Sequence, residues 1–190
     1  MFASEHEGLT PDLMTIAKGL TSGYAPMGAT LVSDRVYGII ADGAEDGAPF
    51  GHGFTYSGHP ISAAIGLEVL RLYQEGGLLA NGQAVGAYFG KRLREFLDHP
   101  LVGDVRSQGL LGAVELVVDK TTKRKPPREL NLGQKAFDSA YRNGLIFRAF
   151  ADDVIGFAPP LCISTDEVDL LIHRLGKTLD SILDMQELRT

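Results

Sequence analysis

A disulfide framework is excluded at the outset, because the chain has one cysteine, Cys162. That scarcity fits a reducing compartment, and the chain is read as cytoplasmic. Basic charge is also short. Eighteen lysines and arginines stand against 24 aspartates and glutamates, for a net charge of −6. This balance argues against a protein that holds nucleic acid through its overall field. No apolar run approaches the roughly 20 residues of a membrane span. The opening MFASEHEGLTPD has no basic flank followed by an apolar stretch, so no signal peptide is expected. Internal repeats and low-complexity tracts are not evident.

What is there suits a globular chain with a core of its own: 44% hydrophobic and 22% charged residues. The 23 glycines cluster in the first half, where tight backbone turns near a ligand are expected. The stretch MTIAKGLTSGYAPMGATLV, residues 14–32, holds one lysine in an apolar, glycine-rich setting. Residues 13–17 suit a short buried strand ending at Lys18. Gly19, Gly23, Pro26 and Gly28 mark a loop, and residues 29–32 the next strand. Ser33 or Asp34 is placed to cap a short helix through Ile40, and residues 41–53 read as a long loop. In SGHP, residues 57–60, Pro60 fits the first turn of a helix that Gly76 and Gly77 end. Ala63, Ala64 and Gly66 leave one face of it small.

The second half differs in character. A helix from Leu78 to Leu97 stops at His99-Pro100. Residues 110–118 read as a strand, 119–130 as a basic loop, and 132–143 as a helix ended by Gly144. Residues 145–148 and 154–157 read as strands around a turn at 151–153. Ser164 and Glu167 form a capping box for the last helix. The boundaries drawn are 1–76 for a glycine-rich α/β piece and 77–190 for an α+β unit.

Several residues could carry chemistry. Lys18 either snorkels from a surface element or is a nucleophile that meets a carbonyl beyond a strand end. Thr55, in GHGFTYSGHP, either belongs to a plain capping segment or faces a phosphate at a helix start. Arg148, in the apolar run GLIFRAF, needs an ion-pair partner, a substrate carboxylate or an exit to solvent. His52 and His59 complete no known metal spacing and read as structural or capping residues. His6, His99 and His173 read as surface residues. Lys120, Lys123, Arg124, Lys125 and Arg128 read as a solvated loop. Cys162 reads as a packed thiol in a buried strand.

Four stretches then carry a resemblance: PDLMTIAKGLTSGYAPMGA, GHGFTYSGHPISAA, DHPLVGDVRSQGLLGAVELV and GLIFRAFADDVIGFAPPLCIS. In this order they resemble the C-terminal part of class III aminotransferases. These are fold-type I enzymes dependent on pyridoxal 5'-phosphate (PLP), and the ω-amino acid or amine:pyruvate group is the most similar. The resemblance implies an α/β fold, with part of the PLP-binding large domain followed by an α+β small domain. It implies that Lys18 holds PLP covalently and moves a proton at the substrate carbon. It implies that Phe54, through its backbone, and Thr55 bind the PLP phosphate of a neighbouring subunit. It implies that Arg148 is a mobile arginine that pairs with a substrate carboxylate and swings aside for an uncharged amine. No metal site is expected, since the histidines complete no known spacing. Family chains are more than twice as long, and their ring-nitrogen aspartate and glycine-serine phosphate loop have no match here. The implied partners are small amine and oxo acid substrates, with either a homodimer or a complementing N-terminal half. Another class III activity, such as an ornithine-type aminotransferase or an aminomutase, and a non-catalytic remnant stay open as alternatives.

Overall fold

The computed structural model describes residues 1–45, Gly47 and residues 50–185. It divides into two units, Met1–Gly77 and Leu78–Thr190.

In the first unit, strands β1 (Leu13–Ala17) and β2 (Gly28–Val32) form an antiparallel pair with Thr15 opposite Thr30. Both strands sit where the apolar runs place them, but β1 is not buried. Leu13, Thr15 and Ala17 are exposed and Met14 and Ile16 are half-buried, because two strands cannot cover each other's faces. Helix α1 (Asp34–Glu45) is pinned at its start by Asp12, which accepts hydrogen bonds from Ser33 Oγ at 2.7 Å and Arg35 Nε at 3.2 Å. It runs past Ile40 into the stretch expected to be loop. Alanines and Glu45 favour helix there, and Gly43 costs only about 1 kcal/mol. Helix α2 (Pro60–Glu75) starts at the expected proline, and the Gly76 N–H closes it onto the Leu72 carbonyl. Gly77 follows at φ +71°, the left-handed conformation that glycine takes without strain.

The second unit contains α3 (Leu78–Arg94), β3 (Val102–Gln108), β4 (Leu111–Leu116), α4 (Leu132–Arg142), β5 (Arg148–Phe150), β6 (Val154–Phe157) and α5 (Thr165–Leu183). The strands form one antiparallel sheet in the order β3-β4-β6-β5. Alternation sorts its two faces. Val114, Leu116, Ile155 and Phe157 are buried in a core with Phe89 and Leu93 of α3, Ala136 and Ala140 of α4, and Ile172, Leu175 and Leu179 of α5. Gly112 lets α3 approach closely, since a Cβ there would lie 2.7 Å from Phe89 and 2.8 Å from Leu93. Leu111, Arg148 and Phe150 fall on the opposite, open face.

Several local expectations are corrected. Strand β3 lies in a stretch not read as a strand, because a register shift between Val102 and Asp104 leaves its two buried valines, Val102 and Val105, three residues apart instead of alternating. Arg106 there pairs with Asp104 at 2.6 Å and with Glu115 of β4 at 2.8 Å. Strand β5 begins at Arg148 rather than residue 145. Leu145 and Phe147 are instead buried as irregular backbone against the core. Cys162 is exposed in the turn before α5, not packed in a strand. His99 is not a surface residue, since its side chain is only 11% exposed.

Candidate active site

Lys18 is the first residue after β1 and opens a single 3-10 turn, Lys18–Thr21. Its φ is +52°. A long side chain in that region costs roughly 1–2 kcal/mol, so the surroundings must hold it there. They do so through the turn. The Tyr73 hydroxyl of α2 donates to the Gly19 carbonyl at 2.7 Å, and the buried Thr21 hydroxyl donates to the Ala25 carbonyl at 2.6 Å. Gly66 supplies the small face expected of α2. A Cβ there would meet the Met27 sulfur at 3.3 Å and the Leu20 carbonyl at 3.8 Å. The lysine side chain itself is exposed, and no described residue hydrogen-bonds or ion-pairs with it. With no carboxylate holding it among the described residues, the side chain is free to reach a carbonyl, and the group that activates it as a nucleophile is not among its described neighbours.

Phe54 and Thr55 lie in the exposed segment ahead of α2. The Phe54 N–H donates to Ser57 Oγ at 2.9 Å, and the Ser57 N–H returns to the Phe54 carbonyl at 2.9 Å. The Phe54 amide is therefore engaged locally, whereas no described residue holds the Thr55 hydroxyl. Rings crowd the same segment: His52 stands edge-on to Phe54 with centroids 5.3 Å apart, and Tyr56 is 5.9 Å from His59. His59 is the residue before α2 and makes no side-chain cap. No contact joins Lys18 and Thr55 among the described residues. The lysine turn lies along α2, with the Gly19 carbonyl on the Tyr73 hydroxyl and the Leu20 carbonyl 3.8 Å from where a Gly66 Cβ would stand, whereas Thr55 lies in the segment that precedes the helix.

Arg148 lies in the second unit, exposed at the first position of β5. It takes the exit to solvent and no carboxylate among the described residues pairs with it. Its guanidinium carbon lies 5.8 Å from the centre of the Phe150 ring. It lines an open, mostly apolar groove of about 840 Å³ with Phe150, Leu111, Ile146, Pro159 and Leu171. An unpaired guanidinium at the wall of such a groove can take a carboxylate whose organic part contacts apolar surface. The other arginine on the groove, Arg106, is already held by Asp104 and Glu115. Tyr73, Thr21 and Phe150 escaped the sequence reading, because each acts through a contact that no local motif encodes. No group of three or more histidines, cysteines or acidic residues fit to hold a metal occurs among the described residues.

Comparison with known proteins gives a consistent result. The sequence profile of the family described as Aminotransferase class-III matches residues 1–179. A diaminobutyrate–2-oxoglutarate transaminase of Halomonas elongata is 41% identical over 185 residues, covering 96% of this chain and 39% of the relative. A putrescine–pyruvate aminotransferase of Pseudomonas aeruginosa is 44% identical over 180 residues, covering 94% of this chain and 38% of the relative. Among solved structures, a thermostable (S)-enantioselective ω-transaminase of Thermomicrobium roseum superposes with a TM-score of 0.89 at 41% identity. That match covers 95% of this chain and 40% of the other. The chain thus spans about two fifths of the length of the relatives it matches.

Proposed function

The chain belongs to the class III aminotransferases, a PLP-dependent family, and from that premise we propose that it is the lysine-bearing segment of an amine or ω-amino acid transaminase that uses pyruvate or a similar oxo acid as acceptor. The reaction class is an exchange. The donor amine becomes a carbonyl compound, and pyruvate becomes alanine. Similarity to the Pseudomonas enzyme, whose name pairs an amine with pyruvate, supports this choice of substrates.

The observation that carries the reading is Lys18, an exposed amine without a partner among the described residues, held at a strand end in a left-handed backbone conformation that residues with a side chain disfavour. The residues present fit two features of PLP: this free amine suits its aldehyde, and the unengaged Thr55 hydroxyl suits its phosphate. When bound, PLP supplies an electron sink for the carbon next to the transferred nitrogen. Lys18 would bind the cofactor and, once displaced by substrate, carry the proton at that carbon. Thr55 would donate to a phosphate oxygen. The Phe54 amide would join it only after leaving Ser57 Oγ. Arg148 would orient the substrate through its carboxylate.

That no contact joins Lys18 and Thr55 among the described residues supports a homodimer in which Thr55 serves the neighbouring subunit's cofactor. Exposed Leu13, Leu31, Tyr37, Ile39, Ile61 and Leu67 of the first unit support cover by the part of the fold that the relatives possess beyond this segment. The single cysteine supports a cytoplasmic setting.

Treatment with PLP, reduction with borohydride and peptide mapping tests the reading. Label is expected selectively on Lys18 and absent from Lys18→Ala. Label scattered over surface lysines, or unchanged in the variant, would overturn it.

A further inference from the structure

Arg148 and Phe150 are two residues apart on β5 and so share the open face of the sheet. The register sets Arg148 opposite Gly156 of β6 and Phe150 opposite Val154. The Phe150 ring does not stay over its own partner. It leans diagonally across the pair onto Gly156, where a Cβ would meet ring carbon Cε2 at 2.4 Å. Diagonal neighbours of an antiparallel pair are within reach of an aromatic side chain, and a glycine there leaves bare backbone for the ring to cover. The same ring holds the Arg148 guanidinium carbon 5.8 Å from its centre.

We propose that Phe150 is a positioning residue for Arg148: its ring, seated on Gly156, holds the guanidinium on the groove with its N–H donors free for a substrate carboxylate. This rests on the reading of Arg148 as the carboxylate partner. The physical basis is that a guanidinium meets an aromatic ring through charge and face, whereas it meets a carboxylate through the N–H groups on its edge. The two contacts therefore do not compete for the same atoms. An arginine loose in solvent must give up rotamer freedom when it binds, and a ring that restrains it beforehand reduces that loss. Gly156 belongs to the same device, because any side chain there displaces the ring.

The test follows the Arg148 side chain by NMR in the full chain, without ligand and during titration with pyruvate. Acetone, which lacks the carboxylate, is the control. Without ligand, ring-current shifts of the Arg148 δ-methylene and Nε–H resonances are expected in the wild type and in Phe150→Tyr. They should be lost in Phe150→Leu and Gly156→Ala. Pyruvate affinity should fall about two- to fivefold in Phe150→Leu, the size of an exposed cation–ring contact, and be retained in Phe150→Tyr. Phe150 is 54% exposed, so these variants leave the buried core in place, and the amide spectrum checks this. Absence of the ring-current shift from the wild type, or its persistence in Phe150→Leu, would overturn the proposal. Equal pyruvate affinity in wild type and Phe150→Leu would also overturn it. If Arg148 shows the ring-current shift yet pyruvate perturbs it no more than acetone does, the carboxylate reading of Arg148 fails and takes the proposal with it. The ligand-free spectra identify which of the two has failed.

Discussion

His99 shows how much one side chain depends on its surroundings. Its Nδ1 accepts the Leu101 N–H at 3.2 Å, which requires that nitrogen to carry no proton. Burial adds to this and pushes the imidazole below its ordinary value of 6.5, while Lys120 repels the charged form. Asp180 of α5 acts the other way, but its carboxylate is largely solvated and stands 3.5 Å from Nε2 without forming a hydrogen bond. Burial and the Leu101 contact win. Because the folded value lies below the unfolded one, the contribution of neutral His99 to stability is complete above about pH 6.5 and is lost as pH falls through the folded value. Urea unfolding at pH 5 and 7.5 should therefore show a loss of stability on acidification that is smaller in His99→Gln. An equal loss in both proteins would refute the assignment. Lys18 and Arg148 stand out in the sequence because charge in an apolar run is conspicuous. His99 does not, since nothing in HPLVGD tells that α5 will cover it.

At the scale of elements, two helix starts contrast. Helix α5 is capped by its own sequence: Ser164 Oγ accepts from the Glu167 N–H at 3.2 Å, and the Glu167 carboxylate accepts from the Ser164 N–H at 2.8 Å. Helix α4 is not. Asn131 precedes it at φ +45° and makes no side-chain cap. Asp153, from the turn between β5 and β6, accepts the Gly133 N–H at 2.7 Å instead. This remote cap ties α4 to the hairpin that carries Arg148. Asp153 sits at φ +58°, so Asp153→Gly removes the carboxylate without left-handed strain and should cost about 1 kcal/mol in urea unfolding, whereas Asn131→Gly should be nearly neutral. The reverse ranking would show that Asn131 is the working cap. The first cap is legible because its partners are three residues apart. The second needs a residue 20 positions away, and only folding of the hairpin brings it there.

For the whole molecule, burial is uneven. Among the described residues of the first unit only Thr21, Gly66 and Val69 are buried, whereas the second unit has a continuous core from Val85 to Ile182. Apolar burial contributes about 25 cal/mol per Å² removed from water, so stability should reside in the second unit. Hydrogen exchange should find the amides of β4, β6 and α5 protected and those of β1 and β2 exchanging within minutes. Slow exchange in β1 would mean that the strand is covered in solution, as by self-association. The sequence by itself determined most elements, the helix starts at Pro60 and Ser164, the lysine at a strand end and the family, because these depend on periodicity, turn chemistry and short motifs. Tertiary structure decided that β1 is exposed, that β3 is a strand, that Cys162 faces solvent, and that the Phe150 ring lies on Gly156 beside the Arg148 guanidinium. Each of these depends on which surfaces meet across the chain, and neighbours in space are not written in local spacing.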